Sequence, residues 1–112
     1  MIKDHLFQLV LLEDVMQWSG WLSLLDDQIN QIPERSGVYE LHTVSELLYI
    51  GQSDNLRRRL KEHKNTADPC IKKATIFHYA ETTAPNTVEE NLLKDYKISH
   101  GGKLPPCNEM ST

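Results

Sequence analysis

Two tyrosines ten residues apart, Tyr39 and Tyr49, are followed by Arg59 and His63, four apart, and later by an isolated Glu89. These are the residues of the chain whose types and spacing could do chemistry. A carboxylate among apolar neighbours suits a hard divalent cation, which takes one or two carboxylates together with waters and substrate phosphates. A guanidinium matches the planar, two-point demand of a phosphate. Together they point to phosphodiester chemistry. The competing reading is a buried Arg59 to Glu89 ion pair that only holds the fold, with both tyrosines packing a sheet.

The elements that must position these groups follow from periodicity. "VYELH" alternates Tyr39 and Leu41 with Val38, Glu40 and His42, and "LLYIG" alternates Leu47 and Tyr49 with Leu48 and Ile50, so both read as strands. The polar run 43–46 is short enough to make them a hairpin. A helix is expected from about Asn55 to His63, capped by Ser53 or Asp54. At 100° per residue, Leu56, Arg59, Leu60 and His63 share one face, while Arg57, Arg58, Lys61 and Lys64 point elsewhere. Arg59 is thus the arginine on the apolar side, where an unpaired guanidinium is costly. It needs a structural carboxylate or a phosphate as partner.

"ADPCIKK" reads as a short helical turn capped by Asp68, and "ATIFHYAE" as a third strand. A last helix is expected from Asn86 or Thr87, with Thr87 and Glu90 as a capping box. Its apolar stripe is Val88, Leu92, Leu93 and Tyr96, with Glu89 in the middle of it and Glu90 outside. Gly101 and Gly102 stop it and leave an irregular tail. Near the start, Trp18, Trp21, Leu22, Leu25 and Ile29 fall at the spacing of one helical face, with Leu6, Leu9 and Val10 suggesting earlier turns. The expected fold is α+β: a small antiparallel or mixed sheet of about three strands flanked by helices. Residues 1–32 are expected to form a helical extension packing on a core domain of 33–112.

The chain has 112 residues, 39% of them hydrophobic and 25% charged, which fits one soluble globular domain. Its net charge of −4 is unevenly spread. Residues 1–34 hold six acids and one base, whereas Arg57, Arg58, Arg59, Lys61, Lys64, Lys72 and Lys73 form a basic patch opposed only by Glu62 and Asp68. An acidic preamble suggests a protein partner, and the basic patch a nucleic acid. "HLFQLVLLEDV" is too short for a membrane span and lacks a cleavage site. Cys70 and Cys107 make no disulfide framework and no C-x-x-C pair, so they read as buried or free thiols in a reducing cytoplasm. His42, His78 and His100 show no ligand spacing and read as strand or surface residues.

"GVY" at Gly37 to Tyr39 and "YIG" at Tyr49 to Gly51 resemble the defining pair of the GIY-YIG nuclease domain. Arg59, His63, Glu89 before "xxLL", and Asn108 in "PPCN" continue the resemblance over roughly residues 33–109. It implies an endonuclease that hydrolyses DNA phosphodiester bonds with Mg2+ or Mn2+, in repair, recombination, restriction or mobile-element contexts. By the same resemblance Tyr39 helps activate the attacking water, Tyr49 assists it, Arg59 stabilises charge on the phosphate, Glu89 holds the metal, and His63 is an accessory in proton transfer or phosphate contact. A tyrosine base needs a nearby cation to lower its pKa from about 10, and Arg59 and the metal are the cations on hand.

Gln52 stands where many repair-type members carry lysine, and Cys107 where a tyrosine is usual before Asn108. These departures bear on substrate preference. Gln52, Arg57, Arg58, Lys61 and Asn108 are the expected substrate-binding residues, with DNA, branched or single-stranded, as the expected partner. A catalytically weak binding module of the same fold is the alternative, and RNA a further substrate reading.

Overall fold

Backbone pairing, more than helix packing, organises the chain. In the computed structural model, which describes residues 16–109, the elements are β1 (Leu22–Ser23), α1 (Asp26–Ile29), β2 (Gly37–His42), β3 (Leu47–Ser53), α2 (Leu56–Lys64), a 3-10 turn (Ile71–Lys73), β4 (Ile76–Glu81), α3 (Pro85–Ser99) and α4 (Pro106–Glu109). One sheet runs in the order β1-β4-β2-β3, and every neighbouring pair is antiparallel. The α+β class stands, but the sheet has four strands where about three were expected.

The fourth strand comes from the segment expected to be helical. Residues 16–21 form no helix; Ser19 N–H donates to the Tyr79 carbonyl (2.8 Å), Tyr79 N–H donates to Ser19 Oγ (3.0 Å), and Leu22 and Ser23 pair with Phe77 and Ile76. Only Asp26–Ile29 is helical. The outer edge of β4 presents unpaired backbone groups, and satisfying them outweighs the helical periodicity that five apolar positions suggest. Leu24, Ile29 and Ile32 are buried in the same core as Tyr39, Leu41, Leu60 and Phe77. Leu6, Leu9 and Val10, with Asp4, Glu13 and Asp14 of the acidic preamble, lie outside the described residues.

The strand register decides what faces what. Tyr39 stands opposite Gly51 and Tyr79, and Leu41 opposite Tyr49 and Phe77. Since side chains alternate along a strand, both motif tyrosines lie on one face, and Glu40 with its partner His78 lies on the other. The two motif glycines permit this closeness. A Cβ on Gly37 would sit 2.4 Å from the Ala80 carbonyl oxygen, and one on Gly51 2.4 Å from the Tyr39 hydroxyl, far inside van der Waals contact.

Asn55 caps α2, its side chain accepting from Arg58 N–H at 3.0 Å, in place of the expected Ser53 or Asp54. Leu56, Leu60 and His63 are buried on its inner face. α3 begins at Pro85, two residues before the expected cap, because proline at the first helical position is already set at a helical φ, and no Thr87 capping box forms. Gly101 and Gly102 end it at positive φ.

The expectation of free thiols is corrected. Cys70 and Cys107 form a disulfide across 37 residues, with Cα atoms 5.6 Å apart. The 3-10 turn and α4 meet there, a contact that spacing in the sequence cannot reveal. The pairing also removes the thiol argument for a reducing compartment. Closing a loop of this length is worth about 4 kcal/mol in the chain-entropy description. Replacing both cysteines by serine is therefore expected to lower the urea midpoint by the equivalent of roughly 3–4 kcal/mol, and equal midpoints with and without reductant would contradict the assignment.

Candidate active site

The hairpin and α2 place three aromatic rings together. The Tyr39 hydroxyl and His63 Nε2 are 2.7 Å apart, and both rings lie next to Tyr49, whose centroid is 6.2 Å from Tyr39 and 5.2 Å from His63. Tyr39 is fully buried and His63 nearly so. Burial first, and the Arg59 charge second, push His63 down to about 4, so the imidazole is neutral at neutral pH. Its Nε2 can accept the Tyr39 proton when Nδ1 carries the ring hydrogen.

That depression fixes a pH dependence. As pH falls, an unfolded histidine takes up its proton near 6.5, whereas the folded one does so only near 4. The unfolded state thus binds more protons between these values, and stability present above the window is lost as pH falls through it. The loss from this group is expected to reach up to about 3 kcal/mol. Urea midpoints measured across the window should fall less steeply for His63→Gln than for wild type; parallel curves would remove His63 as the source.

Arg59 sits at the rim of this cluster, its side chain 39% exposed. Its short bond is from Nη1 to Glu62 Oε1, at 2.9 Å, so a carboxylate partner exists, though on the same helix and not Glu89. The guanidinium also favours the ionised form of Tyr39. Burial lowers the Arg59 pKa, but Glu62 and the tyrosines outweigh it and leave the group firmly charged.

Tyr39 itself is held well above the ordinary phenol value. Burial is the main cause, Tyr49 adds to it, and the opposing charge and hydrogen bond of Arg59 do not overcome them. The cation that sequence reasoning relied on is present, but desolvation is larger. Glu89 also acts on Tyr39, raising its pKa slightly, which places its charge within electrostatic reach of the phenol. Glu89 is half-buried on α3, and its carboxyl is pushed up by that burial and then by Glu90. A partly desolvated carboxylate oxygen with no ion pair among the described residues fits a hard divalent ion that brings its own waters.

The expected substrate-binding residues separate into groups. Gln52, Arg58 and Arg59 line one groove of about 450 Å³, with Ser53, Asp54 and Pro85. Arg58 is held by Asp54 at 2.6 Å within it. Arg57 turns away to the 30s segment, its Nε donating to the Ile32 carbonyl at 2.7 Å. Lys61, one helical turn beyond Arg57, lies on that same side of α2. Asn108 pairs with the outer edge of β3: its Oδ1 accepts from Ile50 N–H and its Nδ2 donates to the Ile50 carbonyl, both at 2.9 Å. It braces the strand beside Tyr49.

One cluster was missed. His42 and His78, read from sequence as unrelated, converge on Glu40 across the β2–β4 pair. The Glu40-x-His42 alternation was visible, but the strand pairing that adds His78 was not.

Residues 35–98 match the GIY-YIG catalytic domain. Among solved structures, the chain resembles the GIY-YIG N-terminal endonuclease domain of UvrC from Thermotoga maritima, bound to its catalytic magnesium, at 23% identity and a TM-score of 0.58, over 72% of this chain and 91% of that one. A point mutant of that domain gives 22% identity, the same coverage and the same TM-score. A comparison with curated proteins by sequence gives no match. With the motif glycines, both tyrosines and the helix glutamate all inside the matched span, this chain belongs to the GIY-YIG catalytic domain family.

Proposed function

We propose that this protein is a metal-dependent endonuclease that hydrolyses DNA phosphodiester bonds. The observation that carries the reading is the convergence of Tyr39, Tyr49, His63 and Arg59, from two strands and a helix, at a site that also senses Glu89. In this reading Arg59 faces the phosphate from the rim, where its planar fork stabilises charge that grows on the non-bridging oxygens. Gln52 and Arg58, in the same groove, hold the neighbouring backbone.

The buried phenol is too weak an acid to wait as tyrosinate, so Tyr39 works as a relay. It accepts a proton from the attacking water at its oxygen while its own proton passes to His63 Nε2, 2.7 Å away. Neutral His63 is the required acceptor. Tyr49, its ring centroid 6.2 Å from Tyr39 and 5.2 Å from His63, assists in positioning the attacking water. Mg2+ or Mn2+ held by Glu89 would supply Lewis-acid stabilisation of the phosphate.

The test is cleavage of supercoiled, single-stranded and branched DNA, and of RNA, with Mg2+ and with Mn2+. Nicking of at least one DNA substrate that ceases with EDTA is the expected result. A chain inert on every substrate and metal, yet folded and retained on DNA, would favour the binding-module reading.

A further inference from the structure

On the sheet face opposite the tyrosines, β2 and β4 bring together two imidazoles and a carboxylate that the proposed reaction does not use. His78 Nε2 is 2.6 Å from Glu40 Oε1, and His42 Nε2 is 3.4 Å from the same oxygen. The three donor atoms lie within 4.8 Å of one another, and among the described residues this is the one such group of His, Cys, Asp and Glu. We propose that Glu40, His42 and His78 form a binding site for a borderline divalent metal ion of the zinc class, separate from the Mg2+ position at Glu89.

The donor chemistry selects the metal. Two imidazoles and one carboxylate suit Zn2+, Co2+ or Ni2+, whereas Mg2+ and Ca2+ prefer oxygen alone. The spacing fits as well. Zinc–nitrogen and zinc–oxygen bonds of about 2.0–2.2 Å at tetrahedral angles hold donors roughly 3.3–3.5 Å apart. The His42 to Glu40 separation is already in that range, and the His78 contact needs to open by less than about 1 Å to reach it. Three protein ligands leave one tetrahedral position for water, and the side chains, each 16–18% exposed, leave water a path.

The site is preorganised by two indoles. Trp18 and Trp21 both stack on the His78 ring at 4.2 Å, which requires one on each face, and Trp21 also meets His42 edge-on at 4.6 Å. An imidazole clamped in this way keeps its Nε2 aimed at the cluster. The clamp is the N-terminal segment whose helical expectation failed, so its extended course acquires a purpose: it carries both tryptophans across the metal site.

The same tryptophans supply the assay, because they are the only two in the chain. Untagged full-length protein, free of Mg2+, is titrated with Ni2+ or Co2+ while tryptophan fluorescence is followed. Saturable quenching at micromolar metal, reversed by Zn2+ competition into a spectroscopically silent form and unaffected by millimolar Mg2+, is expected. Loss of an outer-sphere partner typically weakens a metal site about 10–100-fold, so His42→Gln and Glu40→Gln, which remove direct ligands, should each weaken it at least tenfold. Glu89→Gln should leave it unchanged, which separates this site from the nuclease metal. His42→Gln leaves the stacked His78 in place, so its effect is read on a folded chain, checked by circular dichroism. Absence of saturable quenching, or equal quenching in wild type, His42→Gln and Glu40→Gln, would show a hydrogen-bonded trio only and overturn the proposal.

Discussion

Arg59→Ala is expected to lower single-turnover cleavage by about 10³-fold or more, the range seen when a phosphate-stabilising arginine or oxyanion donor is removed. Two losses combine. The phosphate loses its fork of donors, and Tyr39, already held above its ordinary pKa by burial, loses the one side chain that favours its ionised form most directly. The substitution should leave the fold intact. The Arg59 to Glu62 pair is 39% and 51% exposed, and such pairs contribute at most about 1 kcal/mol. Arg59→Lys should recover only part of the rate, since an ammonium keeps the charge and loses the planar geometry. A variant that cleaves as fast as wild type, on the substrate wild type cuts best, would remove Arg59 from the chemistry.

Glu89→Gln is expected to lower cleavage by about 10²–10³-fold at saturating Mg2+ and to raise the metal concentration needed for half-maximal rate. Glutamine preserves shape and an oxygen donor but removes the charge that makes a single carboxylate a useful ligand. Stability should hold or rise slightly, because Glu89 is half-buried beside Glu90 and both burial and that neighbour disfavour its ionised form. Glu90→Gln is the internal control: Glu90 is exposed one residue away and outside the site, so the variant should cleave near the wild-type rate. Equal losses in both variants would point to a diffuse charge effect and away from a ligand at Glu89.

Helical projection singles out these two residues, and the structure defines their exposure. Projection put Arg59 with Leu56, Leu60 and His63; the latter three are buried, and Arg59 reaches the rim. That is the position of a group that can meet both a buried phenol and a solvated phosphate. Glu89 sits half-buried within its apolar stripe, as projected. The tyrosine chemistry went the other way. Reference pKa values and a nearby cation suggested a tyrosinate, and only the packed site reveals that desolvation exceeds the cation's effect.

The sequence by itself determined the β2–β3 hairpin, α2, β4 and α3, since alternation and the 3.6-residue period are local signals carried by contiguous residues. Residue type and spacing also single out Tyr39, Tyr49, Arg59, His63 and Glu89 as the candidate site residues. Tertiary structure decided everything that joins distant segments. The edge of β4 drew Trp18 to Ser23 out of the helix their spacing suggested. Strand register set Glu40 against His78, 38 residues away, and the closure of the tail joined Cys70 to Cys107 across 37. Such pairings depend on which backbone groups are left unsatisfied and which faces meet in the folded chain, quantities that no local period encodes.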